Sequence, residues 1–150
     1  MKIGVFHSSM TSAVKELVLD VLSEEGFEYD HAKDFDLDKI EDYYLQNRGI
    51  FYTGVVDNTI VGTSAVRRMD DRTCEIKRIY VRKDFRRRGF GSALFIQALK
   101  FAEENYSTVV LKTDARLKDA INIYRRNGFS VIKEENGIMY FEKTSLKVRL

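Results

Sequence analysis

The sequence lacks proline and tryptophan entirely, and it contains one cysteine, Cys74. A single cysteine excludes an internal disulfide, so nothing requires an oxidising compartment. Without proline, the turns must be made by glycine, asparagine and aspartate. No apolar run approaches the roughly 20 residues of a membrane span, and the N-terminal apolar stretch is too short for a secretory signal. We therefore expect a cytoplasmic protein without membrane contact.

Histidine is also scarce, and the charges nearly cancel. His7 and His31 lie far apart and, together with Cys74, show no spacing typical of metal ligands, so no metal site is expected. The formal net charge of +2 is too small to indicate a polyanionic partner by itself. A length of 150 residues, with 44% hydrophobic residues, fits one domain over residues 1–150 built around an apolar core.

The first half of the chain predicts a short strand, one helix and an antiparallel meander. After a strand at residues 2–7, apolar residues between Met10 and Leu22 recur at helical spacing. Three strands follow, and the first two are joined by a tight turn. They are residues 50–56, 59–66 and 73–81, with Asp57-Asn58 in the turn.

An acidic stretch covers residues 30–42. Asp36 stands where it could cap a short helix carrying Leu37, Ile40 and Tyr44. Because acids near a helix N-terminus are favoured by the helix dipole, we interpret the stretch as a solvated helix face. Its acids are Asp30, Asp34, Asp36, Asp38, Glu41 and Asp42.

The second half predicts helices alternating with strands. The helices cover residues 92–105 and 119–127, with a short buried strand at 109–111 between them. A last hairpin joins residues 129–133 and 138–143 around Asn136-Gly137. A meander followed by strand, helix, strand, helix and strand predicts an α/β fold with a mixed sheet.

The most informative segment is the loop Arg86-Arg87-Arg88-Gly89-Phe90-Gly91, between a strand and a helix. Glycines let the backbone come close to a phosphate, and the following helix contributes free N–H groups and the positive end of its dipole. Arginines can pair with phosphate oxygens. A basic turn that merely contains two glycines is the alternative interpretation.

A nucleic-acid patch is a further alternative, since Arg82, Lys83, Arg86, Arg87 and Arg88 place five basic residues within seven positions. No aromatic stacking pattern and no helix-turn-helix signature accompanies them. We therefore expect no nucleic-acid partner.

Two motifs in order resemble the GNAT superfamily of acetyl-CoA-dependent N-acetyltransferases. The strand at residues 75–81 and the following Arg86-x-x-Gly89-x-Gly91 resemble its central motif. The segment Ala120-Ile121-x-x-Tyr124-x-x-x-Gly128-Phe129 resembles its second signature. The resemblance covers about residues 50–143. It implies a mostly antiparallel mixed sheet of six to seven strands, helices on both faces, and a splayed parallel strand pair.

The resemblance implies transfer of an acetyl group from acetyl-CoA to a primary amine, by direct attack in a ternary complex. It needs no metal. A non-catalytic acyl-CoA-binding module of the same fold is the alternative. The pantetheine arm is expected along the strand at 79–81, and the pyrophosphate on the amides of the loop. The cofactor residues so implied are Ile79, Tyr80, Val81, Arg86, Arg87, Arg88, Gly89, Phe90, Gly91 and Ser92.

The resemblance also implies catalytic residues. Tyr124 matches the family's tyrosine and is the candidate acid near the CoA sulfur. Glu75 precedes Arg86 by the spacing of a catalytic glutamate in some members, so it is the candidate base, and Asp114 is a weaker one. Strand alternation predicts Glu75, Lys77, Ile79 and Val81 on one face, and we interpret Cys74 as a packed residue.

The acceptor is less well defined. In this family the part of the fold that corresponds to residues 30–42 often lies beside the acceptor, so a cationic amine, either a small molecule or a protein, is among the candidates. Members are frequently dimers, which makes a homodimer a further expectation. Two departures from the family pattern are Lys83, where proline is frequent, and Leu117, where an asparagine often contacts the cofactor.

Overall fold

A computed structural model describes residues 1–144 as a seven-stranded sheet with helices on both faces. The spatial order of the strands is β1-β2-β3-β4-β5-β7-β6, and every neighbouring pair is antiparallel except β4 and β5. This architecture confirms the fold expected from the sequence. The strands are β1 Lys2–Val5, β2 Ile50–Val56, β3 Thr59–Arg68, β4 Thr73–Val81, β5 Thr108–Asp114, β6 Ser130–Glu135 and β7 Ile138–Thr144.

Two long helices and three short ones flank the sheet. The long helices α1 and α4 pack against opposite faces of the sheet, because each contributes to a different apolar cluster. We call these the α1–α3 face and the α4–α5 face. The helices are α1 Thr11–Ser23, α2 His31–Asp34, α3 Ile40–Tyr43, α4 Phe90–Asn105 and α5 Lys118–Arg126.

Both faces are fixed by burial of apolar side chains. On the α4–α5 face, Phe95 and Phe141 are almost completely enclosed, and on the α1–α3 face Leu17, Leu37 and Phe51 are too. Full burial of one such side chain stabilises the fold by about 1.5–3 kcal/mol. The two clusters hold the sheet between two helical layers.

The two predicted hairpin turns are confirmed. Asp57 and Asn58 both have positive φ, 48° and 64°, and so do Asn136 and Gly137, 53° and 78°. Two successive residues with positive φ make the tight turn whose twist matches that of antiparallel strands.

The acidic stretch differs from the expectation. Asp36 does not cap a helix; it lies in a 3-10 turn at Phe35–Asp38 and is only 2% exposed. Asp30 is the capping residue instead, accepting a hydrogen bond from the backbone N–H of Ala32 at the start of α2. Asp34 is buried as well. A solvated helix face is therefore wrong for Asp34 and Asp36, because both are bound to a buried arginine described below.

The parallel pair opens into a fork. β4 and β5 are in register at three residue pairs, Thr73–Thr108, Cys74–Val109 and Glu75–Val110. Beyond them β4 runs on to Val81 beside β3, and β5 runs on to Asp114 beside β7. No other described strand lies between the two arms. The splayed pair expected from the sequence is thus confirmed.

A β-bulge shifts the side chains of β4 as they enter the fork. Arg78 has a φ of 59°, and the register with β3 changes between Thr63 and Ala65. The bulge sends Arg78 to the α1–α3 face and Ile79 to the α4–α5 face. The predicted alternation, with Glu75, Lys77 and Ile79 on one face, is therefore wrong beyond Lys77, because the extra residue reverses the order.

None of the helices within residues 1–144 combines the length and the apolar character needed to cross a bilayer.

Candidate active site

The loop between β4 and α4 presents a row of free backbone amides. Arg87 and Gly89 have positive φ, 64° and 80°, which curls the chain before α4 begins at Phe90. Within residues 1–144 the N–H groups of residues 87–92 donate to no protein acceptor, and the first helical bond near the loop runs from Ala93 to the carbonyl of Gly89. Such a curl at a helix N-terminus is chemically suited to an anion with several oxygens.

The arginines of the loop do different things. Arg86 braces the loop: its Nε donates to the carbonyl of Val81 at 2.9 Å, and its guanidinium pairs with Glu24 at 2.8 Å. Arg88 lies over the ring of Phe85, 5.1 Å from its centre. Arg87 and Arg88 are exposed, so both can turn towards a bound anion.

The predicted pantetheine strand lies on the open arm of the fork. Ile79, Tyr80 and Val81 follow the last β4–β5 pair, so their side of β4 towards β5 has no described strand partner. Ile79 packs on the α4–α5 face and Tyr80 on the α1–α3 face. An extended ligand with amide groups could pair with this arm as an added strand would.

Glu75 lies at the point where the fork begins and is 9% exposed. Its carboxylate accepts a hydrogen bond from Nε of Arg67, directly opposite on β3, at 2.7 Å. Burial opposes the charge of Arg67, but the hydrogen bond and charge of Glu75, together with Tyr43, outweigh it and hold the pKa of Arg67 above its ordinary value. The pair places a buried carboxylate, held by an arginine, at the base of the fork.

Tyr124 lies on the other face, within a cluster of aromatic rings. Its ring centre is 5.1 Å from that of Phe95 and 5.7 Å from that of Phe141. Burial raises the pKa of its hydroxyl above the ordinary value, so the group stays protonated at neutral pH. The hydroxyl makes no hydrogen bond to any residue in the described part of the chain, and it is free to donate to a ligand.

Asp114, the weaker candidate base, and Cys74, interpreted as a packed residue, have different surroundings from Glu75. The carboxylate of Asp114 accepts three hydrogen bonds from Arg116, two from the guanidinium at 2.7 and 2.9 Å and one from the backbone N–H at 2.8 Å, and these bonds lower its pKa to about 2. A carboxylate with so low a pKa is a poor proton acceptor. Cys74 is fully buried, and desolvation raises the pKa of its thiol to about 12, as expected for a packed residue.

A buried charge network was missed by the sequence reasoning. Arg78, 8% exposed, binds both oxygens of Asp36, at 2.6 and 3.0 Å, and also Asp34 at 3.1 Å. The hydroxyl of Tyr44 donates to the same Asp36 at 2.5 Å. The network ties the acidic stretch to the bulge of β4. Arg78 lies more than 40 positions from Asp34 and Asp36, so no local pattern could have indicated its role.

A second missed feature is the position of Lys77. Its ammonium lies 5.9 Å from the centre of the Tyr43 ring, on the same face as Glu75 and Arg67. No carboxylate within residues 1–144 reaches ion-pair distance of it, because Glu75 and Asp36 are held by arginines. Burial lowers the pKa of Lys77, an effect that nearby Arg78 and Arg67 strengthen and that Glu75 and Asp36 oppose.

The structure places the sequence candidates on both faces of the sheet around β4. The free amides lie at the end of the β4 arm, Glu75 lies at the base of the fork on the α1–α3 face, and Tyr124 lies on the α4–α5 face.

Known proteins are similar to this chain in sequence and in fold. A profile of the Acetyltransferase (GNAT) family matches residues 15–129. The N-acetylaspartate synthetase of Danio rerio is 37% identical over 108 residues, which cover 70% of this chain and 38% of the relative. The chain thus spans little more than a third of that protein's length.

Two solved structures superimpose over nearly the whole chain. A GNAT acetyltransferase of Staphylococcus aureus Mu50 has a TM-score of 0.82 at 24% identity, covering 95% of this chain and 98% of its own. The PaiA N-acetyltransferase of Thermoplasma acidophilum, solved in complex with coenzyme A, has a TM-score of 0.76 at 15% identity, covering 95% and 98%. Because the family profile covers most of the chain, and the fold agrees, the protein belongs to the GNAT acetyltransferase family.

Proposed function

We propose that the protein transfers the acetyl group of acetyl-CoA to a primary amine by direct attack in a ternary complex. The observation that carries the proposal is the row of six free amides at residues 87–92, at the end of an open strand arm. The amides would hold the pyrophosphate, with Arg87 and Arg88 adding charge. Ile79, Tyr80 and Val81 would pair with the pantetheine arm, which leads the thioester towards the base of the fork.

On the acceptor side, Glu75 would receive the proton that the amine loses, directly or through a water molecule. The amine lone pair forms a bond to the thioester carbonyl carbon, and the carbonyl oxygen takes up negative charge. A backbone N–H near Ile79 would stabilise that oxygen. Holding both reactants at the fork supplies several kcal/mol of barrier reduction by itself.

On the thioester side, Tyr124 would complete the reaction. The carbon–sulfur bond breaks, the amide forms, and the departing thiolate takes the hydroxyl proton of Tyr124. The raised pKa of Tyr124 guarantees the protonated form at neutral pH. A neighbouring water molecule or the bulk solvent then restores the proton.

Two alternatives remain: a non-catalytic binding module, which activity would distinguish, and a cationic acceptor, which the geometry bears on. In a non-catalytic acyl-CoA-binding module the amides would bind CoA, but Glu75 and Tyr124 would have no kinetic role. A cationic acceptor requires free carboxylates in the acidic stretch, yet Asp34 and Asp36 are bound to Arg78. The geometry therefore favours an acceptor that does not depend on those two acids.

The test is acetyl-CoA turnover across a panel of amines, measured by release of free thiol. We expect Tyr124→Phe to lower kcat by about 10²-fold with the KM for acetyl-CoA nearly unchanged, because the acid acts only on the leaving group. Glu75→Gln should lower kcat by a similar factor. Tyr52→Phe is the matched control, since Tyr52 is a buried tyrosine on β2, two strands from β4.

The outcomes divide the alternatives. Binding of CoA without turnover of any amine would favour the binding module. Full activity in Tyr124→Phe would remove the acid role from Tyr124 while leaving the transfer itself standing.

A further inference from the structure

A polar cluster on the α1–α3 face lies beside the base of the fork, and the reaction as proposed uses only one of its members. The cluster consists of Arg67, Glu75, Lys77 and Tyr43. Arg67 and Glu75 neutralise each other at 2.7 Å. Lys77 therefore brings a positive charge that no described carboxylate pairs within 4 Å.

The surroundings hold this lysine in place. The Tyr43 ring beneath its ammonium is fixed edge-on by Phe35 and Tyr44, with ring centres 5.5 and 4.8 Å away. Lys77 is half-buried on β4, so its ammonium has lost part of its hydration without gaining an anion. Such a group is stabilised when an anionic partner binds beside it.

Three acids of the acidic stretch are already engaged, whereas Glu41 and Asp42 of α3 are exposed. Asp34 and Asp36 bind Arg78, and Asp38 binds Lys15 at 2.6 Å and accepts from the hydroxyl of Tyr29 at 2.5 Å. A cationic acceptor would find these three carboxylates occupied, whereas an anionic acceptor would find Lys77 available.

We propose that Lys77 binds a carboxylate of the acceptor, so that the acceptor is an amino acid or another small amine that carries a carboxylate. This inference rests on the proposed acetyl transfer and names its acceptor class. Residues i and i+2 of a strand point to the same face about 6.6 Å apart. A small molecule can therefore present its amine to Glu75 and its carboxylate to Lys77.

The experiment compares acceptors that differ in charge: L-aspartate, L-glutamate, alaninamide and spermidine. We expect kcat/KM for the two carboxylate acceptors to exceed that for alaninamide and spermidine by tenfold or more. Lys77→Met should raise the KM for L-aspartate at least tenfold while leaving the KM for alaninamide unchanged, because only the carboxylate contact is lost. Lys77→Arg should keep most of the preference.

Controls make the result specific to this lysine. Lys2→Met removes an exposed lysine from the far edge strand β1 and should leave all four acceptors unchanged. Thermal denaturation and CoA binding confirm that each variant is folded. Calorimetry of L-aspartate with CoA-saturated protein gives a second readout that needs no turnover, and Lys77→Met should abolish the heat of binding.

Three results would overturn the inference. These are spermidine as the preferred acceptor, the same loss for alaninamide as for L-aspartate in Lys77→Met, or no binding of either carboxylate acceptor to the CoA complex. Each of these leaves the proposed transferase intact. Failure of CoA itself to bind would instead refute the proposed function.

Discussion

The two faces of the sheet approach the fork with different chemistry. The α4–α5 face offers apolar and aromatic side chains around Tyr124, with backbone amides at the end of the β4 arm. The α1–α3 face offers charged side chains, several of them buried: Arg78 and Arg67 are paired with carboxylates, and Lys77 lies near them without a carboxylate in ion-pair distance within residues 1–144. Under the proposed function, the α4–α5 face would recognise its ligand through the backbone, and the α1–α3 face through charged side chains.

This difference has a physical reason. A diphosphate needs many N–H donors, and a curled loop before a helix supplies them from any sequence with the right glycines. An acceptor needs a proton acceptor and selective contacts, which only side chains supply. The cost is burial of charge, which the α1–α3 face meets by pairing nearly every ionised group.

The largest loss of stability on the α1–α3 face is expected from removal of the Arg78 side chain. Arg78→Met leaves the buried Asp34 and Asp36 without their cation, and loss of one partner of a buried ion pair costs about 3–5 kcal/mol of unfolding free energy. The measurement is urea denaturation. Arg126→Met, on the exposed side of α5, should change stability by less than about 0.5 kcal/mol.

A double variant tests whether the stability lost in Arg78→Met comes from uncompensated charge. Adding Asp36→Asn to Arg78→Met should restore part of the stability, because it removes one uncompensated charge. If the double variant is no more stable than the single one, the network is held by packing and not by charge.

On the α4–α5 face, a substitution at Gly89 should disrupt the row of free amides. Gly89→Glu places a carboxylate in the row of amides and forces a side chain onto a residue with a φ of 80°, so we expect CoA affinity to fall about 100-fold, or roughly 2.7 kcal/mol. Calorimetry with CoA measures the loss. Gly137→Glu is the matched control: its φ is 78°, an added Cβ meets nothing within 4 Å at either position, and it lies in the β6–β7 turn.

The two glycine variants should lose similar stability, since both strain the backbone alike. If Gly137→Glu weakens CoA binding as strongly as Gly89→Glu does, the effect comes from general destabilisation and the amide row has no special role.

The smallest effect is expected at Cys74, which is packed in the apolar cluster of the α4–α5 face. Cys74→Ala should keep kcat within twofold and cost about 1 kcal/mol of stability, because the thiol is packed and serves no chemistry. Its pKa of about 12 leaves almost no thiolate at pH 8, so iodoacetamide should not modify the native protein. Stoichiometric inactivation by the reagent would point to an acyl-cysteine route instead.

The two faces also differ in how far the sequence anticipates them. The loop at residues 86–91 and the turns at Asn58 and Gly137 were predictable because glycine and asparagine report backbone conformation locally. The bulge at Arg78 was not, since a positive φ at arginine has no compositional signal. The bulge moves the side chains that follow it to the opposite faces from those predicted. It also places Arg78 on the face where Asp34 and Asp36 bind it. Charge networks between distant segments form only once the chain has folded.

The fork has one further consequence, for how molecules of this protein behave towards each other. A strand edge with free backbone groups invites pairing with another chain and hence aggregation. The outer edge strand β6 guards against this with Lys133, Glu134, Glu135 and an irregular register. The β5 arm of the fork carries charged residues of the same kind, Lys112 and Asp114, and both arms lie inside the sheet between two helical layers and not at its outer edge.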